Sequence, residues 1–176
     1  MSLSIRPMKP DEIPLMVDYF HSLEDSNYQL MGIDPAKLPS QSEWINLLSQ
    51  DFERPIDKRN FFYVVWLDKE SIVGHSNINE ITYGDWAKVH LHIWDPSFRR
   101  QGSGLKLFKE SLKMYFCEFK LKKIICEPHA INPAPNKLLH KIGFHFQETC
   151  QTTPGWINFE QKINRFFLTV DDLKKL

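Results

Sequence analysis

Two histidines one residue apart, His90 and His92, lie just ahead of the run Arg99-Arg100-Gln101-Gly102-Ser103-Gly104. Imidazole titrates near physiological pH, so either histidine can move a proton at neutral pH. The run that follows suits a different task. It ends where a long amphipathic segment begins, and the start of a helix offers unpaired backbone N–H groups and a positive dipole end to an anion such as pyrophosphate. Glycines at 102 and 104 let the backbone come close to phosphate oxygens, and Arg99 and Arg100 add charge. A plain turn with solvated arginines would use the same glycines, so the position of the run carries more weight than its pattern.

Other chemistries fit less well. A nucleotide P-loop ends in Gly-Lys-Ser/Thr, whereas Gly104 is followed by Leu105-Lys106-Leu107; a dinucleotide fingerprint needs a small residue where Leu107 stands. A metal held by His90 and His92 would need a further ligand, and neither Cys126 nor His129 has a diagnostic zinc spacing, so no metal is expected. Cys126 sits in a short apolar run, where a cysteine behaves as a small hydrophobe rather than a nucleophile.

The elements that must position these residues follow from periodicity. Trp86 to Trp94 alternates, placing Ala87, Val89, Leu91 and Ile93 on one face and His90, His92 and Trp94 on the other. Gly104 to Phe119 carries apolar residues three and four apart, which predicts an amphipathic helix. Before them, Phe61 to Leu67 and Ser71 to Thr82 read as antiparallel strands, with turns at Asp68-Lys69-Glu70 and Tyr83-Gly84-Asp85. Ile5 to Met8 reads as a first strand, followed by a helix capped by Asp11. Asn27 to Ser40 reads as an irregular loop and Glu43 to Phe52 as a second helix. Downstream come a buried strand from Lys123 to Cys126, a helix from Pro135 to Ile142 closed by Gly143, a strand starting at Phe144, and a last strand or two after Gly155. The sum is an α+β domain with a mixed, mostly antiparallel sheet, in which the crossover helix implies a parallel or locally splayed pairing.

Bulk properties narrow the function classes. The 176 residues suit one domain, residues 1–176, with a core that needs no metal or disulfide. Twenty-two basic side chains balance 22 acidic ones, which disfavours binding to nucleic acid or to an anionic membrane. Three cysteines without framework spacing, no signal-peptide stretch and no segment of membrane-spanning length point to a cytoplasmic protein.

Asp95 to Gly104 resembles motif A of the GNAT superfamily of acyl-CoA-dependent N-acyltransferases. Glu127-Pro128, Asn132, Asn136 and Leu138-Leu139-His140-Lys141-Ile142-Gly143-Phe144 resemble its motif B, in the right order and separation. The resemblance implies a GNAT-like sheet flanked by helices, with acetyl-CoA or another acyl-CoA as co-substrate in a splay between the strands ending at Trp94 and near Ile124. It implies contacts from Ile93 and Trp94 to the acyl and pantetheine portion, from Arg99, Arg100, Gln101, Gly102, Ser103 and Gly104 to pyrophosphate, and from Asn132 and Asn136 on the pantetheine side. The implied reaction is direct attack of a primary amine on the thioester in a ternary complex.

His92, His90 and Glu80 are then the candidates for the base. The two histidines also read as partly buried sheet residues, and Glu80 as a solvated turn residue. Many relatives carry a tyrosine four residues before the motif B glycine as general acid. Leu139 stands there, which leaves His140, water or an unaided thiolate for that step. It also keeps open a second reading, a catalytically silent acyl-CoA-binding module. The acceptor stays open among a protein N-terminus, a lysine, a polyamine, an antibiotic and a siderophore hydroxylamine.

Overall fold

The structure is a computed structural model and describes residues 2–99 and 102–174. Seven strands form one sheet: β1 (Leu3–Pro7), β2 (Phe61–Asp68), β3 (Ser71–Thr82), β4 (Trp86–Ile93), β5 (Lys123–Cys126), β6 (His145–Thr152) and β7 (Gln161–Thr169), in the order β1-β2-β3-β4-β5-β7-β6. β1 to β4 make an antiparallel meander, β4 and β5 pair in parallel, and β7 runs antiparallel to both β5 and β6. The expected mostly antiparallel sheet flanked by helices is present.

Alternation along the strands builds a core on each face. Phe62, Val64 and Trp66 of β2 join Ala87 and Val89 of β4 beneath α4 (Ser103–Glu118) and α5 (Pro133–Ile142). Tyr63, Val65 and Leu67 turn the other way, towards α1 (Ile13–His21), α2 (Asp25–Met31) and α3 (Gln41–Phe52). Two buried hydroxyls lock α4 in place: Trp66 donates to Ser111 Oγ at 2.9 Å, and Tyr115 donates to Ser76 Oγ at 3.0 Å. Ser76 in turn donates to the carbonyl of His90 at 2.9 Å, which ties the helix to the strand carrying the histidine pair.

Two helices differ from the sequence reading. Residues 25–31, of which 27–31 fall in the stretch read as an irregular loop, form α2, which ends at Gly32 in a left-handed conformation (φ 72°) and is held by Tyr28 Oη donating to the Phe20 carbonyl. Its sequence Asp-Ser-Asn-Tyr-Gln-Leu-Met buries only Tyr28, so no apolar period marks it. A short helix, α6 (Val170–Leu173), follows β7 and is capped by Asp172 accepting from the Thr169 backbone N–H. Asp11 caps nothing: it lies within a 3-10 turn, and α1 starts at Ile13, with Pro14 in its first turn. No helix among the described residues is long and apolar enough to cross a membrane.

Candidate active site

The pairing of β4 with β5 stops at Lys88↔Ile125, while β4 continues to Ile93. The two strands therefore part, and the sheet opens beyond Lys88. Trp94 N–H bonds to the Val73 carbonyl of β3 at 2.9 Å. Because strand N–H groups alternate in direction, those of Leu91 and Ile93, beyond the last β4–β5 pair, face the opening. Ile93 thus presents backbone to the gap. Trp94 does not: its amide is taken by β3, and its indole crosses to the α1 face, donating to His75 Nδ1 at 2.8 Å and stacking on Tyr19.

At the end of β4 the chain makes one 3-10 turn (Pro96–Phe98), stabilised by Asp95 accepting from Ser97 N–H, and then enters α4. Arg99 is exposed and donates to the Ile93 carbonyl at 3.2 Å, so its guanidinium sits at the mouth of the opening. Arg100 and Gln101 lie outside the described residues. Gly102 is the N-cap of α4 with φ 77°, while a Cβ there would meet nothing within 4 Å; its requirement is conformational, not steric. Gly104 is different. A Cβ at that position would stand 3.1 Å from Ile93 Cδ1, so this glycine lets the helix start close against the end of β4. Ser103 is buried in the first turn.

The histidine pair faces away from α4, as alternation predicts, and borders two cavities. One, of about 110 Å³, lies in the β4–β5 opening and is bounded by Leu91, Cys126, Glu127, His129 and Asn132 as well as both histidines. The other, of about 100 Å³, lies under α1, α2 and the β6–β7 connection, with Phe20, Trp44, Tyr63 and Trp156 around it. His90, His92, Met31 and Asn158 line both.

Both histidines are half-buried, and desolvation by the packed protein around the imidazoles is the first cause of their low basicity: His90 is lowered to about 4 and His92 to about 3. Lys88 adds to the shift at His90, and His90 adds to that at His92. Both are neutral at pH 7. His90 Nε2 is 3.1 Å from Asn79 Oδ1; with that oxygen accepting, the proton is on Nε2 and the Nδ1 lone pair is left. His92 stacks on His75 of β3, its register partner, with ring centroids 4.9 Å apart. His75 is fully buried, its pKa lowered well below the usual value by burial and by the other two histidines.

The remaining candidates are placed as follows. Glu80 lines neither cavity; it adopts φ 48° and pairs with Lys88 Nζ at 3.0 Å. That lysine also meets Glu127 at 3.1 Å, and Glu127 accepts from Arg165 Nε at 2.6 Å, so the motif B carboxylate lies buried between two cations. Asn132 caps α5 by accepting from Ala134 N–H and borders the opening. Asn136 is instead consumed by the scaffold: it donates to the carbonyls of His129 and Asn132 and accepts from Asn164 Nδ2 at 2.7 Å. Leu139 is fully buried in the core. The Cys126 thiol is pushed up to about 12, first by burial and then by Glu127, which keeps it protonated and un-nucleophilic. Among the described residues, no group of three His, Cys, Asp or Glu is placed to hold a metal ion.

Sequence reasoning did not single out His75, Asn79, Trp44 or Trp156. The parity of β3 could have put His75 and Asn79 on the histidine face once its register with β4 was known; nothing local marks the two tryptophans.

Residues 2–145 match the family model described as the acetyltransferase (GNAT) domain, and the chain belongs to that family. Among similar solved structures is a spermidine N-acetyltransferase from Vibrio cholerae in complex with coenzyme A and spermine, with a TM-score of 0.77, 18% identity and 98% of each chain covered. Another is a ribosomal-protein-S5-alanine acetyltransferase from Vibrio fischeri, with a TM-score of 0.76 and 19% identity over 98% of this chain and 96% of that one. A ribosomal L7/L12 α-N-protein acetyltransferase in complex with coenzyme A has a TM-score of 0.75 and 15% identity, again covering 98% of this chain and 96% of its own. Identities this low show a shared fold. No curated protein matches the chain in sequence.

Proposed function

We propose that the protein is an N-acetyltransferase that moves an acetyl or other short acyl group from acetyl-CoA to a primary amine by direct attack in a ternary complex. The observation that carries this reading is that His90 and His92 border both the β4–β5 opening and the second cavity, where donor and acceptor would meet. Arg99 and the Gly102–Gly104 start of α4 would hold pyrophosphate. The Ile93 and Leu91 backbone would bond the pantetheine and thioester, and an N–H among them would stabilise the oxyanion.

The acceptor must arrive as a neutral amine. Burial in an uncharged cavity lowers an amine pKa by up to ~3–5 units, so the second cavity itself favours the reactive form. The imidazoles are too weak to strip a free ammonium ion. Moving a proton from a pKa near 10.4 to His92 at about 3 would cost about 10 kcal/mol. They act later: once the nitrogen has bonded to the carbonyl carbon its proton becomes far more acidic, and a neutral imidazole lone pair accepts it. The N–C bond is then kept, the C–S bond breaks, and the thiolate leaves. Its ordinary pKa near 8.5 makes it a competent leaving group without the acid that Leu139 does not supply. His90, oriented by Asn79, and His92 are the proposed bases; Glu80, held by Lys88, is left out.

The test is coenzyme A release, followed by a free-thiol reaction across a panel of primary amines. Release with at least one amine, falling ~10²-fold or more in the His90→Ala, His92→Ala double variant, is expected. No release with any amine, while coenzyme A still binds, would establish the silent binding module instead.

A further inference from the structure

The chemistry of the second cavity restricts the acceptor. Five aromatic rings bound it: Phe20, Trp44, Phe61, Tyr63 and Trp156. Its polar groups are all uncharged at neutral pH: Asn77, Asn79, Asn158 and the two low-pKa histidines. Among the described residues no aspartate or glutamate lines it.

Buried carboxylates on neighbouring elements are already engaged. Asp51 accepts from the backbone N–H groups of Asn60 and Phe61 and from Asn60 Nδ2, and Glu127 lies between Lys88 and Arg165. A second positive charge held against these walls would therefore be desolvated with no carboxylate partner, which is unfavourable. The walls are also fixed from both sides. Asn158 Nδ2 and Gln161 Nε2 each donate to the Gly32 carbonyl at 2.8 Å, and Asp34 N–H donates to the Ile157 carbonyl at 2.8 Å, fastening the β6–β7 connection onto the end of α2. The space, about 100 Å³ and open to solvent beside Trp156, is of the same order as the ~150 Å³ apolar cavity that accepts benzene.

Building on the acetyl-transfer reading, we infer that the acceptor is a monoamine whose single primary amino group is carried on a planar or apolar body about one ring in size, in preference to a polyamine. Trp156 is the specificity-determining residue most open to test. It is 45% exposed, lies on the β6–β7 connection, and meets Trp44 edge-to-face at 5.9 Å, so it closes the aromatic wall without supporting the core.

The experiment is calorimetric titration of the coenzyme A-saturated protein with 2-phenylethylamine and with spermidine, repeated in Trp156→Ala and Trp156→Glu. Phenylethylamine is expected to bind at least about tenfold tighter than spermidine. Trp156→Ala should weaken phenylethylamine about tenfold, and Trp156→Glu should narrow or reverse the preference by offering a carboxylate. Spermidine binding as tightly as phenylethylamine, no detectable phenylethylamine binding, or an unchanged affinity in Trp156→Ala would each overturn the assignment. The two readings fail separately. Amine binding without thiol release sinks acetyl transfer and leaves the acceptor class standing. If coenzyme A itself does not bind, the donor assignment falls, and titration of the free protein still decides the acceptor class.

Discussion

Replacing His92 by asparagine should remove a specific part of the protein's acid sensitivity. In the folded chain this imidazole has a pKa of about 3, chiefly because burial penalises its charged form. In the unfolded chain it returns to about 6.5. A group whose folded pKa is depressed in this way favours folding when neutral. Its contribution is intact above pH 6.5 and is lost as pH falls towards 3, because the unfolded state takes up the proton first. At pH 5 the unfolded imidazole is protonated over neutral by roughly 30 to 1, whereas the folded one is still neutral, which amounts to about 2 kcal/mol of stability lost between pH 7.5 and pH 5. Urea unfolding of wild type and His92→Asn at the two pH values measures this directly, provided the slopes with denaturant match. The variant is expected to lose about 2 kcal/mol less than wild type over the same interval. His90 and His75 remain in both proteins; because His92 helps to depress His75, its removal also relaxes that imidazole and enlarges the difference in the same direction. Equal losses would mean that His92 titrates normally in the folded protein, and the account of two neutral imidazoles beside the cavities would fall with it. The same reasoning predicts that kcat/KM shows no inflection near pH 6.5 and rises with pH as the acceptor amine loses its proton.

Three other substitutions probe the frame around the site. Gly74→Ala would place a Cβ 2.5 Å from the His92 carbonyl oxygen, a contact between backbones that cannot rotate away; a loss of about 1–3 kcal/mol in thermal or urea unfolding is expected, with acetyl transfer reduced as β4 shifts. Gly102→Ala finds free space but must hold φ 77°, so it should cost about 1–2 kcal/mol in unfolding experiments and weaken coenzyme A in calorimetry, while Gly102→Asn should be milder. Glu127→Gln removes the buried carboxylate shared by Lys88 and Arg165, each of which keeps a second partner, Glu80 and Glu148, and a loss of about 1–2 kcal/mol in thermal unfolding is expected; an unchanged melting temperature would show that the outer pairs suffice.

Much of the scaffold could be read from the chain because its signals are local. The strict alternation of β4 and the helical period of α4 come from residues within one element, and so does the loop between them. The family resemblance rests on the same contiguous motifs. Where local signals were weak, the reading failed: α2 buries a single tyrosine and is held by a hydrogen bond to Phe20 and a left-handed Gly32, neither of which leaves a period in the sequence.

The site divides in the same way. Sequence alone placed His90 and His92 on one face of a strand leading to the glycine-containing loop before α4, since alternation follows from backbone geometry. Only the tertiary structure decided that Trp94 spends its amide and indole on β3, that Asn136 is absorbed by the loop before α5, and that Glu80 is held by a lysine. It also decided the lining of the second cavity. Phe20, Trp44, Tyr63 and Trp156 come from four distant segments, and their shared exclusion of charge arises only when the sheet and the β6–β7 connection bring them around one cavity.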